Sequence, residues 1–151
     1  MTSRETLFEH AGGEQALHRF VSIFYHSLLT DPLLVAVFGK GKPEHIDRLT
    51  AFECESFGGP DRFTREVGFQ HLIDVHRHLH ITEEQRQRFV DLYRDAMDKA
   101  GLPSDAAFRD ALMEHVEFGS HVAMQNSNAR TDDELHPLRE VPHWNWERDP
   151  A

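Results

Sequence analysis

Four histidines fall within ten residues in the run His71-Leu72-Ile73-Asp74-Val75-His76-Arg77-His78-Leu79-His80. Imidazoles bind transition metals and exchange protons near neutral pH, so what this run can do depends on its conformation. As a strand, His76, His78 and His80 share one face and suit a zinc or copper site. As a helix they scatter. Leu72, Ile73, Val75 and Leu79 then form an apolar arc that includes His76, His71 and His78 fall outside it, and His80 sits where the helix ends. An isolated strand in a helical chain would leave its backbone donors unpaired, so a helix is expected. His76 then lies on a core-facing stripe, where it needs a carbonyl to donate to or a metal to ligate. Spacing alone leaves both open.

Two further polar groups point inward. Tyr25 lies one turn beyond Val21 on the buried flank of a helical stripe, and His45 precedes Leu49 and Phe52 at helical spacing. Tyr25 also reads as a core tyrosine with a satisfied hydroxyl, and His45 as a surface residue of a first turn. With His76, in a chain containing 11 phenylalanines, they outline a cavity with an iron-ligating side and a ligand-binding side. His115 sits on an apolar stripe and reads as a satisfied core residue. The histidines at 10, 18, 26, 121, 136 and 143 read as solvated.

The elements that must position these groups are helical. Leu17, Phe20, Val21, Phe24 and Leu28 form one stripe, and Phe89, Leu92, Tyr93, Ala96, Met97 and Ala100 a second. Phe108, Ala111, Leu112, His115, Val116, Val122 and Ala123 form a third. Breaks are expected at Gly12-Gly13, at Asp31-Pro32 as a cap and first helical position, and at Gly58-Gly59-Pro60. Thr82-x-x-Gln85 is a capping box, and Gly101-Leu102-Pro103-Ser104 closes one helix and opens the last. No strand pair or repeat is evident, which makes an all-α globule the economical reading. The pattern stops near Asn126. Beyond it, Pro137, Pro142 and His143-Trp144-Asn145-Trp146 read as a tail that docks the chain's two tryptophans on the surface.

The 151 residues suit one domain with one core. With 16 Lys and Arg against 26 Asp and Glu, the net charge of −10 disfavours nucleic acid and anionic membranes as partners. The lone Cys54 has no partner for an internal disulfide, and there is neither a leader-like segment nor a membrane-length apolar run, so a reducing cytoplasm is expected.

Over roughly residues 5 to 125 the chain resembles the group II truncated hemoglobins. The resemblance lies in Ala11-Gly12-Gly13, Phe24-Tyr25 followed by Asp31-Pro32, Phe38 before a loop, Phe57-Gly58-Gly59-Pro60, and His76-x-x-Leu79-x-Ile81 leading into Thr82. It implies a two-over-two helical sandwich around heme b, with a globin domain over 1–126 and a C-terminal extension over 127–151. Carried over, it makes His76 the proximal iron ligand, Tyr25 a donor to a bound diatomic gas, and His45 a distal residue that can itself reach the iron. Phe38 would pack on the porphyrin face, Leu49 and Phe52 would wall the pocket, and Leu79 and Phe89 would also line the cofactor. One departure stands out: Phe89 occupies the position where relatives usually carry a hydrogen-bonding tryptophan.

The resemblance implies reversible binding of O2, NO or CO, with redox chemistry such as NO dioxygenation or peroxide turnover if a reductase supplies electrons. A homodimer is left open. The rival readings are a histidine-rich zinc or copper protein, which no HExxH motif supports, and a cofactor-free helical interaction module.

Overall fold

The structure is a computed structural model that describes residues 5–146. The outermost parts of the two expected segments, 1–4 and 147–151, lie outside the described residues. Among the described residues eight α-helices run in order: α1 Leu7–Ala11, α2 Gly13–Thr30, α3 Val35–Phe38, α4 Pro43–Ser56, α5 Arg62–Glu66, α6 Phe69–His76, α7 Glu83–Lys99 and α8 Ala106–Asn128, followed by a 3-10 turn at Asp132–Glu134. No strand occurs among the described residues. The helix α2 packs on α4 and α7, and α7 on α8, giving two layers of two helices, the expected two-over-two sandwich. The short α6 is held chiefly against α8.

The stripes explain the layers. Leu17, Phe20, Val21, Phe24 and Leu28 of α2 meet Leu92, Tyr93, Ala96 and Met97 of α7 and Phe108, Ala111, Leu112 and Val116 of α8 in one buried cluster. Burial of each of the larger apolar side chains contributes about 1.5–3 kcal/mol against the entropy of ordering the chain. A smaller cluster joins Ala51 of α4, Phe63 of α5, Phe69 and Ile73 of α6 and Val141 of the tail, with Phe52 and Leu72 packed against it.

Several breaks fall where expected. Gly12 ends α1 in the left-handed region (φ 109°), and the Thr82–Gln85 capping box is formed in both directions. A second box, Thr6–Glu9, opens α1. Asp31 corrects one expectation: it closes α2, and its buried carboxylate accepts from the N–H groups of Leu33 and Leu34 while pairing with Arg88 at 2.6 Å, so the next helix begins only at Val35. The N-cap of α8 is Asp105 rather than Ser104. After α4 the chain folds tightly back, and a Cβ on Gly59 would stand 2.7 Å from the Phe8 ring and 2.8 Å from the Cys54 carbonyl, so only glycine fits there.

The tail is woven into the body. Val141 and Trp144 are buried, the Trp144 N–H donates to the Ser56 carbonyl at 2.7 Å, and the Trp146 indole donates to the Glu5 carbonyl at 2.6 Å.

Candidate functional site

His76 is the last residue of α6. Its Nδ1 lies 2.7 Å from the Leu72 carbonyl one turn back and donates its proton there. That bond selects the tautomer in which Nε2 carries the lone pair, and Nε2 has no hydrogen-bond partner among the described residues. Burial pushes the ring's pKa down, opposed by the smaller pull of the Leu72 carbonyl, so the imidazole is neutral near pH 7. The ring is half-buried, crowded by protein yet open on one side.

The other three histidines turn away. His71 is exposed, with Arg48 Nη1 3.5 Å from its Nε2, and His78 and His80 are exposed in left-handed conformations (φ 68° and 52°). The expected helix through Leu79 therefore ends three residues early. The reason lies in α8, whose C-terminal end captures the next segment: His80 N–H donates to the Ser127 carbonyl, Ile81 N–H to the Ser127 hydroxyl, and the Asn128 amide to the Ile81 carbonyl. These bonds replace helical ones. As a result Val75 (47%) and Leu79 (39%) stay exposed instead of joining Ile73 in the core. Among the described residues no three histidine, cysteine or carboxylate groups come together as a metal site, so the zinc or copper trio is not formed.

Tyr25 of α2 and His45 of α4 do meet. The Tyr25 hydroxyl donates to His45 Nδ1 at 2.6 Å and accepts a longer contact, 3.4 Å, from the Lys42 N–H. Gly41 makes this approach possible: it has φ 71°, and a Cβ there would stand 2.6 Å from the Tyr25 oxygen. Burial raises the Tyr25 pKa and lowers that of His45, so a protonated phenol faces a neutral imidazole.

An aromatic wall surrounds the pair. Phe38 stands edge-on to Tyr25 at 6.2 Å, Phe89 lies parallel to Phe38 at 6.3 Å, and Phe24 meets Phe89 edge-on at 4.9 Å. Leu49 packs against the same cluster. Phe52 sits apart, against Phe63 at 5.2 Å in the smaller cluster beside α6. Arg48 reaches His71 while Phe52 and Ala51 pack with Phe69 and Ile73, so the helices carrying His45 and His76 are in contact.

Sequence reasoning missed Gly41, Arg48 and the Leu72 carbonyl. The last was signalled by spacing, since a ring at position i reaches the carbonyl of i−4. Gly41 and Arg48 carried no such signal. Cys54 is buried, and burial pushes its thiol up to about 12, which makes it inert.

A family model of bacterial-like globins matches residues 6–126. The group 2 truncated hemoglobin YjbI of Bacillus subtilis is 28% identical over 117 residues, 78% of this chain and 87% of that protein. The crystal structure of the group II truncated hemoglobin from Bacillus anthracis superposes with a TM-score of 0.74 at 26% identity, covering 87% of this chain and 99% of the other. The X-ray structure of a truncated oxygen-avid haemoglobin from Bacillus subtilis does so with a TM-score of 0.69 at 28% identity, covering 78% and 97%.

Proposed function

The chain belongs to the bacterial-like globin family, with group II truncated hemoglobins among its relatives, and we propose that it holds heme b through His76 and takes up oxygen, nitric oxide or carbon monoxide beside Tyr25 and His45. The observation that carries this reading is the His76 ring, neutral, fixed by the Leu72 carbonyl and open at Nε2.

The residues present suit the group. A single imidazole suffices as a metal site when the metal brings four ligands of its own, as porphyrin iron does. Val75 and Leu79 leave apolar surface uncovered next to His76, and covering it contributes about 25 cal/mol per Å². Arg48, at the border between α4 and α6, would pair with the carboxylates of the macrocycle. Phe38, Phe89 and Leu49 would face it with aromatic and aliphatic surface, with Phe52 and Leu79 farther out.

Ferrous heme supplies a coordination position for a diatomic gas. The chain supplies the rest. His76 offers a lone pair and no charge. Tyr25 keeps its proton across the neutral range and, when His45 takes the tautomer that donates from Nδ1, is free to turn that proton toward the ligand. The phenylalanines exclude water, and Phe89, lacking a donor, leaves the polar work to Tyr25 and His45. Redox use, such as NO dioxygenation, would need an electron-donating reductase. In this reading the globin unit spans 1–126, and the segment after it is an extension that braces the fold.

The test is reconstitution with heme. Wild type should give a Soret band that shifts on reduction and carbonylation. His76→Ala should lose heme, whereas His71→Ala and His78→Ala should keep it; equal loss in all three would refute the assignment of His76.

A further inference from the structure

The end of α6 that carries His76 is tied down by residues far along the chain. This helix has eight residues, marginal on its own, and its N-cap, Gly68, offers no side chain to the first turn. Phe69 and Ile73 bury one face of it. Its C-terminal end depends on the five residues that follow His76. Two of these, His78 (φ 68°) and His80 (φ 52°), stand in the left-handed region, the only non-glycine residues to do so among those described. A Cβ makes that conformation costly, and it persists only where neighbours impose it.

The neighbours are Ser127 and Asn128, the last two residues of α8. The Ser127 carbonyl accepts from His80 N–H at 3.2 Å and the Ser127 hydroxyl from Ile81 N–H at 2.9 Å, while the Asn128 amide donates to the Ile81 carbonyl at 2.9 Å. Ser127 is fully buried, and its hydroxyl gives its own proton to the Met124 carbonyl, so it is not free to turn away. Arg77 adds an ion pair with Asp132, but the Asp132 side chain is 92% exposed and such a pair adds little. The abutment is itself braced by the tail: His136 N–H donates to the Asn126 side chain, and Trp144 stands edge-on to His115, whose Nε2 is 2.8 Å from the buried Glu53 carboxylate.

Without these ties residues 77–81 could continue α6, as the apolar spacing of Leu72, Val75 and Leu79 favours. A helix advances about 1.5 Å per residue where extended chain spans about 3.3 Å. With Thr82 held in its capping box on α7, that shortening would draw the end of α6, and the His76 ring with it, toward α7. The bond from His76 to the Leu72 carbonyl would not resist, because Leu72 rides on the same helix.

We propose that Ser127 and Asn128 are positioning residues for His76: by holding residues 78–81 out of the helix they set how far, and at what tilt, its Nε2 reaches the iron, a role that rests on the heme reading above. Contacts behind a metal ligand fix its angle at the metal and so tune the bond. Both residues lie just past residues 6–126, the range that the family model matches. The C-terminal extension of this chain thus takes part in setting the bond between protein and iron.

Heme-loaded protein, verified by its Soret band, is reduced, given carbon monoxide and photolysed. The iron–histidine stretch is then read by time-resolved resonance Raman immediately after the flash, before any sixth ligand returns. Ser127→Ala and Asn128→Ala should each move and broaden that band relative to wild type. Thr6→Ala, which removes a cap on α1, a helix with no site residue, should leave it in place and so separates positioning from general loss of stability. Asn128 is exposed, so its variant reports even if Ser127→Ala folds poorly. As a second readout, amide exchange at His80 and Ile81 in the carbonylated protein should quicken by about twofold to tenfold in Asn128→Ala, the weight of one neutral hydrogen bond. A band unchanged in Asn128→Ala, a band changed equally in Thr6→Ala, or unaltered exchange at both amides would overturn the proposal and leave the heme reading standing. Absence of a Soret band in wild type would overturn both.

Discussion

Replacing Tyr25 by phenylalanine tests the distal pair most directly. The substitution keeps the ring against Phe38 and removes the hydroxyl that donates to His45 at 2.6 Å. Two effects follow, of different size. For the fold, the bond to His45 is lost together with the long contact from the Lys42 N–H; the first dominates, at a net cost of about 0.5–1.5 kcal/mol, or a fall in Tm of about 1–6 °C for a chain of this length. For the ligand the effect is larger. Oxygen held by the globin gathers negative charge, and a hydrogen bond to such an acceptor contributes about 1.5–3 kcal/mol, so release should quicken by about tenfold to a hundredfold. No other donor takes over easily, because Phe89 has none and His45 loses the partner that orients it. The assay is stopped-flow displacement of oxygen by carbon monoxide from reduced protein, with His45→Leu run alongside. Removing His45 frees the Tyr25 proton from its present acceptor, so that variant should release oxygen no faster than wild type. If release from Tyr25→Phe stays within about twofold of wild type, less than about 0.4 kcal/mol, the hydroxyl does not touch the ligand and the reasoning fails.

Two further expectations concern the frame that holds the site. Thr82→Ala removes the side chain that accepts from Gln85 N–H at the start of α7 and should cost about 1 kcal/mol, read as a lower midpoint in urea with an unchanged slope; a cost near zero would mean that packing alone sets this helix start. His10 bridges Asp105 at 2.8 Å and Glu5 at 2.6 Å, and these hydrogen bonds raise its pKa. Its contribution to stability is therefore complete below the unfolded value of about 6.5 and fades as pH rises through the higher folded value. Thermal melts across that window should fall more steeply in wild type than in His10→Gln, and parallel curves would show that the bridges do not form in solution.

The long helices were legible because their signals are local and redundant. On α2 every member of the apolar stripe is buried, and the Thr82 box does what its spacing promised. The Tyr25–His45 meeting was legible only in part: both residues sit at helical spacing beside apolar stripes, but the same spacing also allowed His45 a place on the surface of a first turn. The end of α6 was not legible, since it is decided by α8 residues some fifty positions later that accept from His80 and Ile81. Glu53 was invisible for a similar reason: a carboxylate within α4 looks like part of a solvated face until His115 appears beside it. Gly41 escaped notice because closeness to the Tyr25 oxygen is a property of two segments at once.

The bond from Trp146 to the Glu5 carbonyl, with the Trp146 ring 4.7 Å from His10, sets the two described extremities of the polypeptide side by side. Joining them with a short glycine-rich peptide and reopening the chain at an exposed bend would thus demand little rearrangement. Trimming the chain after residue 126 is a different matter, because it would strip the buried Val141 and Trp144 from the two hydrophobic clusters they complete.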